Sequence, residues 1–275
     1  MKSLATIGLT LGLLVNPLAN AHESPLHNAI NGEHRTPAYT QRDEYRHPEQ
    51  TLEFFGVKPD MTVVEIWPGG GGWYTEILAP YLKDNGKLYA AQFDPNSDVD
   101  YFVRNYKKFM QKLDANPEVY GDVEVTTFAP PEKLAIAPEG SADRVLTFRN
   151  VHNWYMNGRG EETLLAAFSA FYDALKPGGV LGVVDHRLPD GRTLDAQDKS
   201  GYMKQDYVID IAQKAGFKLA ATSEINANPK DSADHPRGVW TLPPSLRLGE
   251  QDKNKYLAIG ESDRMTLKFV KPAAQ

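Results

Sequence analysis

From Met61 onward, short apolar runs alternate with stretches whose apolar residues recur every three or four positions. The runs predict buried strands over Met61–Ile66, Lys87–Phe93, Val123–Phe128, Ala142–Phe148, Val180–Asp185 and Phe217–Ser223. Between them, helical spacing gathers Ile77, Leu78, Tyr81 and Leu82 on one face, and Phe102, Tyr106, Phe109 and Leu113 on another within Asp100–Leu113. A long helix over Glu161–Leu175 carries Leu164, Leu165, Phe168, Phe171, Tyr172 and Leu175, and one around Lys204–Ala215 turns Val208, Ile211 and Ala212 inward. Ahead of the first strand, Pro48–Gly56 puts Leu52 and Phe55 on one face and closes on a glycine C-cap. Alternation of strand and helix calls for a parallel sheet covered on both faces. Arg264–Val270 instead alternates cleanly between apolar and polar, as an edge or antiparallel strand does.

The first strand runs through Glu65-Ile66-Trp67-Pro68 into four consecutive glycines, Gly69 to Gly72, and resumes as a helix. Strand, glycine-rich turn and helix N-terminus together form a place where backbone approaches a ligand closely, and a Cβ would block either that approach or a positive φ. A plain tight turn needs one or two glycines, so four argue for a nucleotide or cofactor loop.

The N-terminus adds a targeting segment. Lys2 is followed by an apolar core over Leu9–Leu18 and by Ala19-Asn20-Ala21, a small-x-small cleavage pattern. The run is too short to span a bilayer, so residues 1–21 read as a cleavable export signal. The mature chain then begins near His22 in the periplasm or outside the cell, with no integral membrane segment. Residues 22–57 form an arm and leading helix. His22, His27 and His34, scattered among prolines, asparagines and glycine, mark the arm as solvated. Residues 58–272 form the main domain, with a late insertion at about 226–262 that is long enough to act as a lid, together with the segment from Tyr39 to His47 that carries Arg42 and Arg46. The absence of cysteine excludes disulfides, thiolate metal sites and a cysteine nucleophile. With 30 Lys+Arg against 36 Asp+Glu, interspersed, the net charge of −6 leaves no nucleic-acid footprint.

An acid-ended first strand, a glycine loop, and Leu175-Lys176-Pro177-Gly178-Gly179 ahead of a buried strand together resemble the class I S-adenosylmethionine-dependent methyltransferases, over about Pro59 to Pro272. Within that family the chain is similar to a small exported group of predicted methyltransferases. The resemblance implies an α/β fold: a Rossmann-like, doubly wound, mostly parallel seven-stranded sheet with an antiparallel last strand and helices on both faces. It implies S-adenosylmethionine as cofactor and a small-molecule methyl acceptor as partner. By the same resemblance Glu65 helps fix the methionine portion, Gly69 and Gly71 bring backbone to the cofactor, and Asn150 lies near its methionine end. His152, Asn153 and Trp154 fall where the acceptor is presented. Three positions depart from the family pattern. Trp67 replaces the first glycine, Gln92 replaces the acid that grips the ribose hydroxyls, with Asp94 two residues on as a substitute, and Pro130 stands near the place of the acid beside adenine.

Methyl transfer requires an aligned acceptor, exclusion of water and often a base. Position nominates His152 and the Asp185-His186 pair as catalytic candidates, with His235 a third, although a single histidine so placed is more often a hydrogen-bonded structural one and Asp185 could equally cap a turn. Trp67, Trp73, Trp154, Tyr155 and Trp240 sit on loops and could wall an acceptor pocket or pack beneath those loops. No histidine or carboxylate spacing makes a local metal-ligand set, so no metal is expected. Besides an exported methyltransferase, the three departures leave open a methyltransferase-like ligand-binding or accessory protein. A nicotinamide-dependent oxidoreductase fits the Lys-Pro-Gly-Gly approach and the closing strand poorly.

Overall fold

A computed structural model describes residues 24–273; the export signal expected over residues 1–21 lies outside them. The strands are β1 (Thr62–Ile66), β2 (Lys87–Gln92), β3 (Glu124–Thr127), β4 (Ala142–Phe148), β5 (Leu175–Leu188), β6 (Met203–Lys204), β7 (Lys218–Ser223), β8 (Pro236–Val239) and β9 (Arg264–Val270). Eight of them form one mixed sheet in the order β3-β2-β1-β4-β5-β9-β7, with β6 paired to the far end of β5. Pairs among β1 to β5 are parallel, while β9 runs antiparallel between β5 and β7. The expected closing hairpin is therefore β7 and β9. The eighth strand, beyond the seven expected, is the two-residue β6.

Period-two alternation sorts the strand residues onto two faces. Val64, Ile66, Tyr89, Ala91, Val145, Leu181 and Val183 enter one core, which Leu164, Phe168 and Phe171 of the helix Gly160–Ala174 and Val208 and Ile211 of Gln205–Lys214 cover. Val63, Leu88, Ala90, Leu146 and Phe148 enter the other, covered by Leu52 and Phe55 of Pro48–Phe55, Ile77 and Leu78 of Thr75–Leu82, and Phe109 of Asp100–Ala115. Gly56, at φ 68°, ends the helix Pro48–Phe55 as its C-cap.

Two expectations change. The apolar run of β5 ends at Asp185, yet the strand continues to Leu188, because pairing with β9 carries through His186 opposite Arg264. His186 is thus a strand residue rather than part of a loop. The N-terminal arm is not solvated. Leu26, Ala29 and Ile30 of the helix Pro25–Ile30 are buried, and Arg35 binds the fully buried Glu76 at 3.3 Å. Glu76 also accepts from the Thr36 backbone N–H at 2.9 Å, from its hydroxyl at 2.6 Å, and from Lys112. A carboxylate removed from water needs donors of this number, and they fasten the arm across the helix that follows the glycine loop. No helix among the described residues is long and apolar enough to cross a membrane.

Candidate active site

Strand β1 lies between β2 and β4, so the chain winds outward in both directions from it and opens a crevice at the carboxyl ends of the strands. A cavity of about 550 Å³ sits there, walled by Trp67, Phe93, Asp94, Phe102, Phe128 and Trp154. Its size is that of a small-molecule site. Trp67 occupies the first glycine position of the turn with φ 46°. A left-handed non-glycine residue costs about 1–2 kcal/mol. Its indole offsets this by packing 4.8 Å from the Phe93 ring and 5.4 Å from those of Phe102 and Trp154, and by donating Nε1–H to the Phe128 carbonyl at 2.8 Å. The large ring is a wall of the cavity rather than an obstruction in the turn. Pro130 and Pro131 line the cavity where the family places an acid.

The four glycines do different things. Gly69 has φ 70° and open space where a Cβ would stand. Gly70 donates its N–H to Asn105 Oδ1 at 3.2 Å, and Gly71 lies directly beneath the Tyr39 hydroxyl, so its Cβ would collide with the docked arm. Close approach at Gly71 is therefore between two parts of this chain. Gln92 is fully buried, with Nε2 donating to the Gly69 carbonyl at 3.0 Å and Oε1 accepting from the Phe93 N–H at 2.9 Å. Its amide braces the glycine loop, and among the carboxylates at the cavity rim, Asp94, Asp98 and Glu132, it is Asp94 that follows the end of β2 and holds Lys133 at 2.6 Å. Glu65 is buried under the loop and accepts from Thr75 Oγ1 at 2.6 Å. Burial pushes its carboxyl up to about 8, against the pull of Thr75 and Lys112. Asn150 ties the end of β4 to β1 by donating to the Ile66 carbonyl at 2.8 Å.

The residues Arg149-Asn150-Val151-His152 leave β4 and enter a short helix, Val151–Tyr155, which carries His152 over the end of β5. There Asp185, fully buried, accepts from His152 Nδ1 at 3.0 Å on one oxygen and from the His152 backbone N–H at 3.0 Å on the other. An acceptor-only carboxylate fixes the proton on Nδ1 and leaves Nε2 as the basic nitrogen. His186 stands beside this pair with its ring 5.2 Å from that of His152, and its Nδ1 shares a hydrogen bond with Ser262 Oγ at 2.5 Å. Burial, then His152, then the guanidiniums of Arg149, Arg264 and Arg46 hold His186 well below the ordinary histidine range, so it is neutral. The three candidates named from sequence thus meet. His235 does not join them: its Nε2 is bonded to Asp231 at 2.7 Å, and Asp231 also accepts from Tyr202.

The ligand atoms of His152, Asp185 and His186 lie within 4.8 Å of one another, a set that linear spacing does not reveal. Two histidines and a carboxylate match a common metal-binding trio. Here, however, both Asp185 oxygens are engaged by His152, and the surrounding guanidiniums oppose a divalent cation.

Of the charges around this trio, the sequence offers Arg42 and Arg46 as lid residues but not Arg149, Arg264 or Glu261. Arg42 and Arg46 reach in from the arm, Arg149 from the end of β4 and Arg264 from the start of β9, with Glu261 among them. Arg42 Nε and Arg46 Nε bind its two oxygens at 2.6 and 3.4 Å, and Arg264 Nη1 lies 3.2 Å away. Burial alone would raise Glu261, but the four guanidiniums bring it down to about 2.

No family model and no curated protein matches the sequence. Solved structures do match in three dimensions. A methyltransferase from Aquifex aeolicus described as S-adenosylmethionine-dependent aligns over 84% of this chain and 93% of its own with a TM-score of 0.54 and 17% identity. The fold is that of the class I S-adenosylmethionine-dependent methyltransferases. Phosphoethanolamine N-methyltransferase 2 of Haemonchus contortus, solved with S-adenosyl-L-methionine, aligns over 83% of this chain with a TM-score of 0.53 and 17% identity; this chain spans 53% of that one. The [4+2]-cyclase SpnF aligns over 91% of this chain and 92% of its own, with a TM-score of 0.53 and 14% identity. The methyltransferase fold therefore also carries a cyclase, and the reaction has to be argued from the site.

Proposed function

We propose that the chain is an S-adenosylmethionine-dependent methyltransferase acting on a small molecule. The observation that carries this reading is the cavity at the switch point of the methyltransferase fold, whose wall includes a buried, unpartnered donor, Trp154 Nε1. A buried indole N–H normally has an acceptor, and a purine nitrogen is one. The aromatic walls suit adenine, Asp94 at the rim suits ribose hydroxyls, and Gly69 leaves its Cβ position open. These features fit the nucleoside half of the cofactor. When bound, the cofactor supplies a methyl group on a positively charged sulfur. The chain's own part is to exclude water, orient the acceptor and take up its proton at His152 Nε2, with Asp185 stabilising the imidazolium that results.

A second reading, a ligand-binding or accessory protein, draws on Gln92, whose amide is spent on the glycine loop, and on Trp67 in a glycine position. Calorimetric titration of the full chain with S-adenosylmethionine and S-adenosylhomocysteine tests the first reading. We expect saturable heat for both; none at millimolar ligand overturns it. Binding that persists across a panel of acceptors with no methylated product favours the second.

A further inference from the structure

We propose that Arg42, Arg46, Arg149 and Arg264 form a binding site for the anionic group, a carboxylate or a phosphate, of the small-molecule acceptor. The word acceptor rests on the methyltransferase reading; the anion site stands without it.

Several buried guanidinium N–H groups lack hydrogen-bond partners. Arg46 is 1% exposed, and both its terminal nitrogens, Nη1 and Nη2, are buried with no partner, as is Arg42 Nη2. Each of these nitrogens carries two N–H donors, and buried donors in folded proteins are almost always satisfied. The stacking of Arg46 on the Trp73 ring, 4.5 Å from its centroid, accommodates the face of the guanidinium but none of its edge N–H groups. Arg149 is partly exposed, and its guanidinium makes no hydrogen bond or ion pair among the described residues. Of the four, only Arg264 has a partner at every guanidinium nitrogen: Ser262, Tyr45 and Glu261.

The charge balance agrees. Four guanidiniums surround one carboxylate, Glu261, and both oxygens of the neighbouring Asp263 are taken by the Nε and Nη2 edge of Arg187. Water would satisfy N–H groups but would leave the charge uncompensated. A guanidinium does not shed its proton, so the unpartnered, buried edge of Arg46 favours an anion as its missing partner. Planar forked donors recognise a carboxylate or phosphate two oxygens at a time.

The position makes the anion part of an acceptor. Arg264 is the cross-strand partner of His186, and Arg149, Arg264 and Arg46 all act electrostatically on that ring, which borders the base His152. None of the four arginines lines the aromatic cavity assigned to the nucleoside. An acidic molecule anchored here would lie against the histidines, and Arg149 and Arg42, both partly exposed, give it a way in.

Thermal denaturation of the full chain in inorganic phosphate and in malonate, each against sodium chloride at equal ionic strength, reads the site directly. We expect a rise of about 2 °C or more at tens of millimolar anion over the chloride control. The rise should be lost in Arg46→Met and in Arg149→Met and kept in Arg192→Met, a surface control. Arg149→Met decides the question if Arg46→Met does not fold. No anion-specific rise, or an equal rise in Arg149→Met, overturns the site. Calorimetry with S-adenosylhomocysteine and with methylthioadenosine, which lacks the amino-acid end, separates the two sources of a carboxylate. Affinities for both within twofold of the parent in Arg149→Met support the acceptor. A tenfold loss for S-adenosylhomocysteine alone assigns the arginines to the cofactor's own carboxylate and overturns the acceptor. An anion response with no S-adenosylhomocysteine binding overturns the methyltransferase reading and leaves the anion site in place.

Discussion

The Asp185 carboxylate meets His152 twice, taking the ring Nδ1–H on one oxygen and the backbone N–H on the other, both at 3.0 Å. One buried acid thereby fixes where the helix Val151–Tyr155 starts and which nitrogen of its histidine is basic. In Asp185→Asn the amide cannot accept at both oxygens' positions, so we expect His152 to lose its Nδ1–H tautomer and the fold to lose roughly 2 kcal/mol. Nitrogen-15 NMR of the imidazole and urea denaturation report the two effects. An unchanged tautomer would show that the acid does not orient the ring.

The arm and the glycine loop are coupled through Tyr39 and Gly71. Gly71→Ala forces the tyrosine hydroxyl away, whereas Gly71→Ala in a Tyr39→Ala background meets no obstacle. Alanine at position 71 should therefore cost less in the double variant than alone, with an interaction energy of about 1 kcal/mol or more in a denaturation cycle. Additive losses would mean that the arm does not rest on the loop.

Glu65 makes stability depend on pH in the direction opposite to a salt-bridged carboxylate. Burial raises its carboxyl to about 8, from an ordinary value of 4.5. Between those values the folded chain keeps a proton that the unfolded chain releases, so stability falls as pH rises, by at most about 1.4 kcal/mol per unit. Below the lower value both states are protonated and above the upper value both are ionised, so the term levels off. Glu65→Gln, which can still accept from Thr75, should flatten the decline and be the more stable protein at pH 8. A parallel decline in both proteins, measured by urea denaturation from pH 5 to 8, would remove Glu65 as its source.

Local patterns made the sheet legible. The apolar run of β1, the helical spacing from Leu164 to Phe171 and the alternation of Arg264–Val270 each express a buried face through near neighbours in sequence. What escaped depends on distant partners. His186 is drawn into β5 by Arg264, and Arg35, in an arm that reads as solvated, meets the fully buried Glu76 across 41 residues. Position alone nominates the trio of candidate catalytic residues, and the lid segment offers Arg42 and Arg46, but nothing local nominates Arg149 or Arg264 or joins the four, because residues 42, 46, 149 and 264 share no motif. Trp67 stands out in sequence as a departure from the glycine pattern, yet its service as a wall shows only once Phe93, Phe128 and Trp154 surround it.

The hydrogen bond from Arg42 to Glu261 spans 219 residues, and β9 is threaded between β5 and β7. The two ends of the chain must therefore both arrive before the charged cluster exists. Parallel pairing of β1 to β5 needs no residue beyond Leu188, whereas the charged cluster needs Glu261 and Arg264 beside Arg42 and Arg46. The proposed anion site would therefore depend on hydrogen bonds of the longest sequence separation among the described residues, the kind of contact that forms slowly, and would be the first part lost to a truncation ahead of β9.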